Sequence, residues 1–183
     1  MSDPALQPLD DRRALERSRW GDELQPPWAL FERVEDYGIF GSWFLDLGAT
    51  LMRELPDRLR ELVALRASVR RGCWYVWAGH VLIAIHLGMS ATDIARTAIG
   101  PAAFTGVDAA ILRAADAALD REPVDPATAG MLSEHELLSI AIAAAFYDQV
   151  ATVMDGAKPE PGIAVIEGLE TPAGAAAHAG SGA

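Results

Sequence analysis

Cysteine is all but missing: Cys73 is the only one in 183 residues. One thiol closes no intrachain disulfide, which fits a reducing compartment, with the cytoplasm as the default expectation. It also has no cysteine partner for a zinc site, and His80, His86 and His135 do not pair at ligand spacing, so no metal is expected. Positive charge is scarce as well, with 15 Lys and Arg against 26 Asp and Glu and a formal net charge of −11. A phosphate backbone or an anionic lipid surface needs a dense basic face, so neither nucleic acid nor membrane is expected as a partner. Residues 1–27 hold no long apolar run and resemble neither a signal peptide nor a membrane span. There is no glycine-rich phosphate loop and no strand-to-helix nucleophile elbow, so a nucleotide cofactor and a Ser-His-Asp hydrolase are not indicated, and no cofactor is expected. Strand-like alternation never persists and no long period repeats. The expected fold class is therefore all-α.

What is present is a hydrophobic content of 51%, enough in one chain of this length for a single domain with a sizeable core. Residues 1–27 read as an N-terminal arm, with Pro8 and Pro26-Pro27 as breakers. Residues 28–157 read as the helical domain. Within it, Trp28, Phe31, Val34, Tyr37, Phe40, Trp43, Phe44, Leu47 and Leu51 recur at helical intervals, with a break expected near Gly38 and Gly41. Ile99-Gly100-Pro101 ends a helix, Val107 to Leu119 marks another, and Ser133 with Glu136 forms a capping box for a long alanine-rich one. Residues 158–183, rich in Pro, Gly and Ala, read as a flexible C-terminal tail with a possible short apolar extension at Ile163, Val165 and Ile166.

The centre of the chain is Glu61 to His80, two helices meeting at Gly72. Pro56 suits a first helical turn, Asp57 complements the dipole there, and Gly72 suits a left-handed cap. Cys73 then opens the second helix, where the dipole favours a thiolate. His80 lies seven residues on, on the same face as Cys73 but about 10 Å further along the axis, too far for a direct thiol–imidazole bond. An imidazole moves protons near neutral pH, and Glu61, folded back by the turn at Gly72, would fix its tautomer. Taken singly, each residue also has an ordinary reading: His80 as a satisfied core histidine, Glu61 as a solvated carboxylate, Cys73 as a small buried apolar group.

Arginine crowds the first of these helices. Arg53, Arg58, Arg60, Arg66, Arg70 and Arg71 outnumber Glu54, Asp57 and Glu61 in an otherwise acidic protein. Guanidinium groups there would hold a small carboxylate in bidentate fashion, or else make interhelical or intersubunit ion pairs.

Three runs carry a resemblance. They are Leu55-Pro56-x-Arg58-x-Arg60-Glu61-Leu62-Val63-x-Leu65-Arg66, then Gly72-Cys73-x-Tyr75-x-Trp77-x-x-His80-x-x-Ile83-Ala84, then Leu87-Gly88-Met89-Ser90. The stretch resembles the carboxymuconolactone decarboxylases and the related alkylhydroperoxidase D-like proteins. The resemblance implies an alkylhydroperoxidase D-like helical bundle assembled as a homo-oligomer, whether dimer, trimer or hexamer. It places the family's Glu, Cys and His on Glu61, Cys73 and His80. Val76 stands where redox members of the family carry a second cysteine and many decarboxylase-like members a glutamate, and one thiol cannot close a dithiol cycle alone.

The resemblance therefore implies a cofactor-independent lyase or isomerase acting on a small organic acid, lactone or polyketide-like carbonyl compound. His80 would shuttle a proton beside a carbonyl and Glu61 would orient it. Arg66 or Arg58 would hold the acid group, Tyr75, Val76 and Trp77 would border the substrate, and Cys73 would hydrogen-bond or pack. The alternatives are a one-cysteine thiol peroxidase resolved by an external thiol, and a non-catalytic oligomeric binding protein.

Overall fold

The computed structural model describes residues 39–155 together with Leu30, Leu169 and Ala175. The arm expected at 1–27 lies outside the described residues. Every regular element among the described residues is helical: α1 (Ile39–Glu54), α2 (Asp57–Arg71), α3 (Trp74–His86), α4 (Ala91–Ile99), a 3-10 turn (Pro101–Ala103), α5 (Gly106–Asp120), α6 (Pro126–Ala129) and α7 (Glu134–Val153). The fold is all-α.

The chain divides into two compact units, Met1–Glu54 and Leu55–Ala183. In the first, α1 runs unbroken through Gly41, one of the two glycines at which the sequence predicts a break; Gly38 lies outside the described residues. One interior glycine costs a helix only about 0.5–1 kcal/mol relative to alanine, which Leu45, Leu47, Leu51 and Met52 outweigh.

The second unit is built around α2, which packs against α3, α4, α5 and α7. Ten consecutive residues of α2, Leu59 to Ser68, are buried, so the helix is enclosed on every side. Leu62, Val63 and Leu65 each contribute on the order of 1.5–3 kcal/mol by leaving water. Enclosure also traps Arg60, Glu61 and Arg66, and buried charge must be paired. The pairing sets the helix register. Arg58 meets Asp108, Arg66 meets Asp116 and Arg70 meets Asp120, each across the same 50-residue separation. A constant offset means that α2 and α5 run parallel, and Leu62 and Leu112, at the remaining step of the same four-residue rows, fill the buried centre of the ladder.

The end of α2 is a Schellman turn. Cys73 N–H donates to Ser68 O at 2.9 Å and Gly72 N–H to Val69 O at 3.2 Å, with Gly72 at φ 64°. The chain thus reverses within two residues, and α3 returns along α2. Ser133 caps α7 as the sequence predicts, its hydroxyl accepting from Glu136 N–H while the Glu136 carboxylate accepts from Ser133 N–H at 2.7 Å. By length and composition α7 would cross a bilayer, but Ile140, Ala143, Ala144, Tyr147 and Val150 are buried in a helix that packs on α2 and α5.

Of the tail expected at 158–183, Leu169 and Ala175 are described and both are buried; the rest of it lies outside the described residues. Trp77, fully enclosed on α3, donates its indole N–H to Leu169 O at 2.8 Å and so ties that residue to the core. Trp77→Phe is expected to cost about 1–3 kcal/mol in equilibrium unfolding, because it leaves a buried carbonyl without its donor.

Candidate active site

Glu61 lies eleven residues before Gly72 and His80 eight after it, so the reversal at Gly72 brings the two nearly level on neighbouring helices. Glu61 Oε2 sits 2.7 Å from His80 Nδ1. The other carboxylate oxygen, Oε1, accepts from Arg60 Nε at 2.8 Å, and Arg60 reaches back to Asp57 at 3.0 Å. Glu61 is 0% exposed, Arg60 2% and the His80 side chain 13%. Burial pulls the Arg60 guanidinium down, but the Glu61 charge and hydrogen bond outweigh it and hold Arg60 above its ordinary range.

A carboxylate accepts and does not donate, so the hydrogen in the 2.7 Å contact belongs to His80 Nδ1. In the neutral ring that tautomer puts the lone pair on Nε2. No hydrogen bond engages Nε2 among the described residues. The arrangement is a carboxylate–imidazole dyad with its basic nitrogen available and its carboxylate anchored by a guanidinium.

Tyr147, on α7, meets His80 edge-to-face with ring centroids 4.8 Å apart and planes at 87°. Its ring also contacts Phe146 at 5.4 Å. The phenol is held above its ordinary range, first by burial and then by the Glu61 charge, with Arg60 opposing. Sequence reasoning missed Tyr147. The available signal is its place on the buried Ile140, Ala143, Ala144 face, where Tyr147 and Ser139 are the side chains with a polar tip.

The remaining expected site residues are placed differently. Cys73 is the cap of α3 and is buried, 7% exposed, and no hydrogen bond links it to Glu61 or His80 among the described residues. The sequence predicts a stabilised thiolate there; instead burial pushes the thiol up, and the N–H groups of Val76 and Tyr75 only partly offset it. One helix terminus does not compensate for the loss of water. Alkylation of Cys73 is therefore expected to be slow at neutral pH and to accelerate only above the ordinary thiol range of about pH 8.5, as followed by thiolate absorbance against pH.

Arg66, expected to hold a substrate acid, forms a two-point contact with Asp116 at 2.8 and 2.9 Å and donates to Thr97 O at 3.3 Å. Arg58, its alternative, is held by Asp108 at 2.6 Å and Asp93 at 3.2 Å. Both guanidiniums already face carboxylates of this chain, because α2 is enclosed and its charges are answered from α4 and α5. Arg70 and Arg71 are likewise paired, with Asp116 and Asp120 and with Asp148. Trp77 is fully buried and its N–H is used by Leu169 O. Tyr75 and Val76 are buried beside it on α3. Among the described residues no group of three or more His, Cys, Asp or Glu is placed to hold a metal ion.

Residues 40–120 match the model of the carboxymuconolactone decarboxylase family. That matched stretch covers under half of the chain. It contains Arg60, Glu61, Cys73 and His80, whereas Tyr147 lies beyond the matched residues. No curated protein and no solved structure matches the chain. The family match accords with the all-α architecture and is compatible with catalysis.

Proposed function

We propose that the protein is a cofactor-independent acid–base enzyme of the carboxymuconolactone decarboxylase type, a lyase or isomerase acting on a small organic acid, lactone or related carbonyl compound. The observation that carries this reading is the 2.7 Å contact of Glu61 with His80 Nδ1, which leaves Nε2 as a positioned base. Abstraction of a proton beside a carbonyl needs a base of near-neutral affinity and no metal or nucleotide. Arg60 serves by holding the carboxylate, and the carboxylate by holding the ring.

The one-cysteine peroxidase reading is disfavoured. A peroxidatic thiol has to be ionised and accessible, and Cys73 is buried with its thiol pushed up.

The test is incubation of the full chain in deuterated water with a panel of β-keto acids, 2-oxo acids and unsaturated γ-lactones. Nuclear magnetic resonance follows deuterium entering the carbon beside the carbonyl and any loss of carbon dioxide. Exchange with at least one panel member is expected, falling about 10²–10⁴-fold in His80→Gln. A wild-type protein that labels nothing on the panel, or a His80→Gln variant as fast as wild type, overturns the reading.

A further inference from the structure

Two polar atoms without a hydrogen-bond partner among the described residues lie on touching rings. One is His80 Nε2. The other is the hydroxyl of Tyr147, a residue only 4% exposed, for which no hydrogen bond is made among the described residues. A buried hydroxyl without a partner is costly, and such groups persist where something outside the folded chain uses them.

Resting on the acid–base reading above, we propose that Tyr147 is a second catalytic residue, whose hydroxyl donates a hydrogen bond to the substrate oxygen on which charge gathers as His80 Nε2 takes the proton from the neighbouring carbon. In this step the C–H bond breaks and an N–H bond forms at His80. The released pair becomes a carbon–carbon π bond, the carbonyl π pair moves onto oxygen, and that oxygen accepts from the Tyr147 hydroxyl, whose proton stays on the phenol. Return of the proton from Nε2 to carbon reverses the flow. No oxidant, reductant or metal enters.

Geometry supports the pairing. With ring centroids 4.8 Å apart, ordinary ring dimensions keep the hydroxyl oxygen within about 9 Å of Nε2, and a carbon with the oxygen two bonds away, in hydrogen-bond contact at each end, spans up to about 8 Å of that range. The electrostatics agree. Burial and the Glu61 charge keep the phenol protonated, so that it acts as a donor and never competes with His80 as a base. Demand for such a donor is evident too, since Arg58 and Arg66 are engaged by aspartates of this chain. A fixed donor aimed at developing oxygen charge is the strongest single aid available to such a reaction. The assignment narrows the substrate to compounds whose acidic carbon is directly attached to a hydrogen-bond-accepting carbonyl.

Tetronic acid is a suitable probe, being a small lactone whose anion already carries enolate charge on oxygen. Calorimetric titration of the full chain is expected to show binding by wild type and at least tenfold weaker binding by Tyr147→Phe. Thermal unfolding of Tyr147→Phe is expected at the same temperature as wild type or higher, because no hydrogen bond is lost. Equal affinity of the two proteins, absence of binding by wild type, or a Tyr147→Phe variant that loses stability each overturns the proposal. Deuterium exchange separates this outcome from failure of the function itself. If wild type and Tyr147→Phe label the panel equally while His80→Gln does not, the acid–base reading stands and Tyr147 has no part in it. If no protein labels the panel and tetronic acid still distinguishes wild type from Tyr147→Phe, Tyr147 binds an enolate-like oxygen and the proposed turnover is wrong.

Discussion

Glu61→Gln is expected to fold and to lose about 10³–10⁴-fold in the deuterium-exchange rate. The side chains are nearly isosteric, but the amide has one acceptor oxygen where the carboxylate has two. In the native protein Oε1 serves Arg60 Nε–H at 2.8 Å and Oε2 serves His80 Nδ1–H at 2.7 Å. An amide that keeps its oxygen on Arg60 turns its NH₂ toward Nδ1. Nδ1 must then accept, the ring hydrogen moves to Nε2, and the base is lost although every heavy atom stays in place. Glu61→Ala is expected to act on stability instead, at the lower end of about 3–5 kcal/mol, because it removes a fully buried anion from Arg60 while Arg60 keeps its contact with Asp57. The measurements are nitrogen chemical shifts of the His80 ring for the tautomer, exchange rates for the base, and denaturant unfolding for the stability. Exchange by Glu61→Gln within tenfold of wild type, with Nδ1 still protonated, would show that the carboxylate does not set the tautomer.

The features that were legible in the sequence are those that depend on local chemistry. Gly72, Ser133 with Glu136, and the stop at Gly100 each act through backbone groups within a few residues, so their types and order suffice to place helix ends. The level pairing of Glu61 with His80 was legible for the same reason, because one tight reversal and two helical rises determine it. Residues whose roles depend on what faces them were not legible. Six arginines near Glu61 suggested an anion site, but the anions that answer Arg58, Arg66 and Arg70 are aspartates on α4 and α5, and only the parallel register of α2 and α5 reveals this. Cys73 illustrates the same limit from the other side. Its position at a helix start is local and favours the thiolate, whereas its burial is a property of the assembled core and wins. Tyr147, which is distant in sequence, reaches His80 only because α7 closes over α2 and α3.

The ladder that withdraws the arginines from binding also makes one glycine critical. Gly100 holds φ 106° and ψ −159°, a conformation open essentially to glycine alone, and a β-carbon there would stand 2.8 Å from the Arg66 guanidinium. A free arginine tip would swing aside at little cost. This one is held at three points, by both oxygens of Asp116 and by Thr97 O. Gly100→Ala must therefore strain the backbone, at about 1–3 kcal/mol, and displace a largely buried guanidinium from its partners. The expected total is about 3 kcal/mol or more in denaturant unfolding, a large share of the stability of a domain this size. The two contributions separate in a double-mutant cycle with Arg66→Ala. If the clash dominates, Gly100→Ala costs much less in the Arg66→Ala background than in wild type, whereas pure backbone strain gives the same increment in both. A loss below about 1 kcal/mol in the wild-type background would mean that Arg66 is not pinned, and Arg66 would return as a candidate for holding a substrate carboxylate.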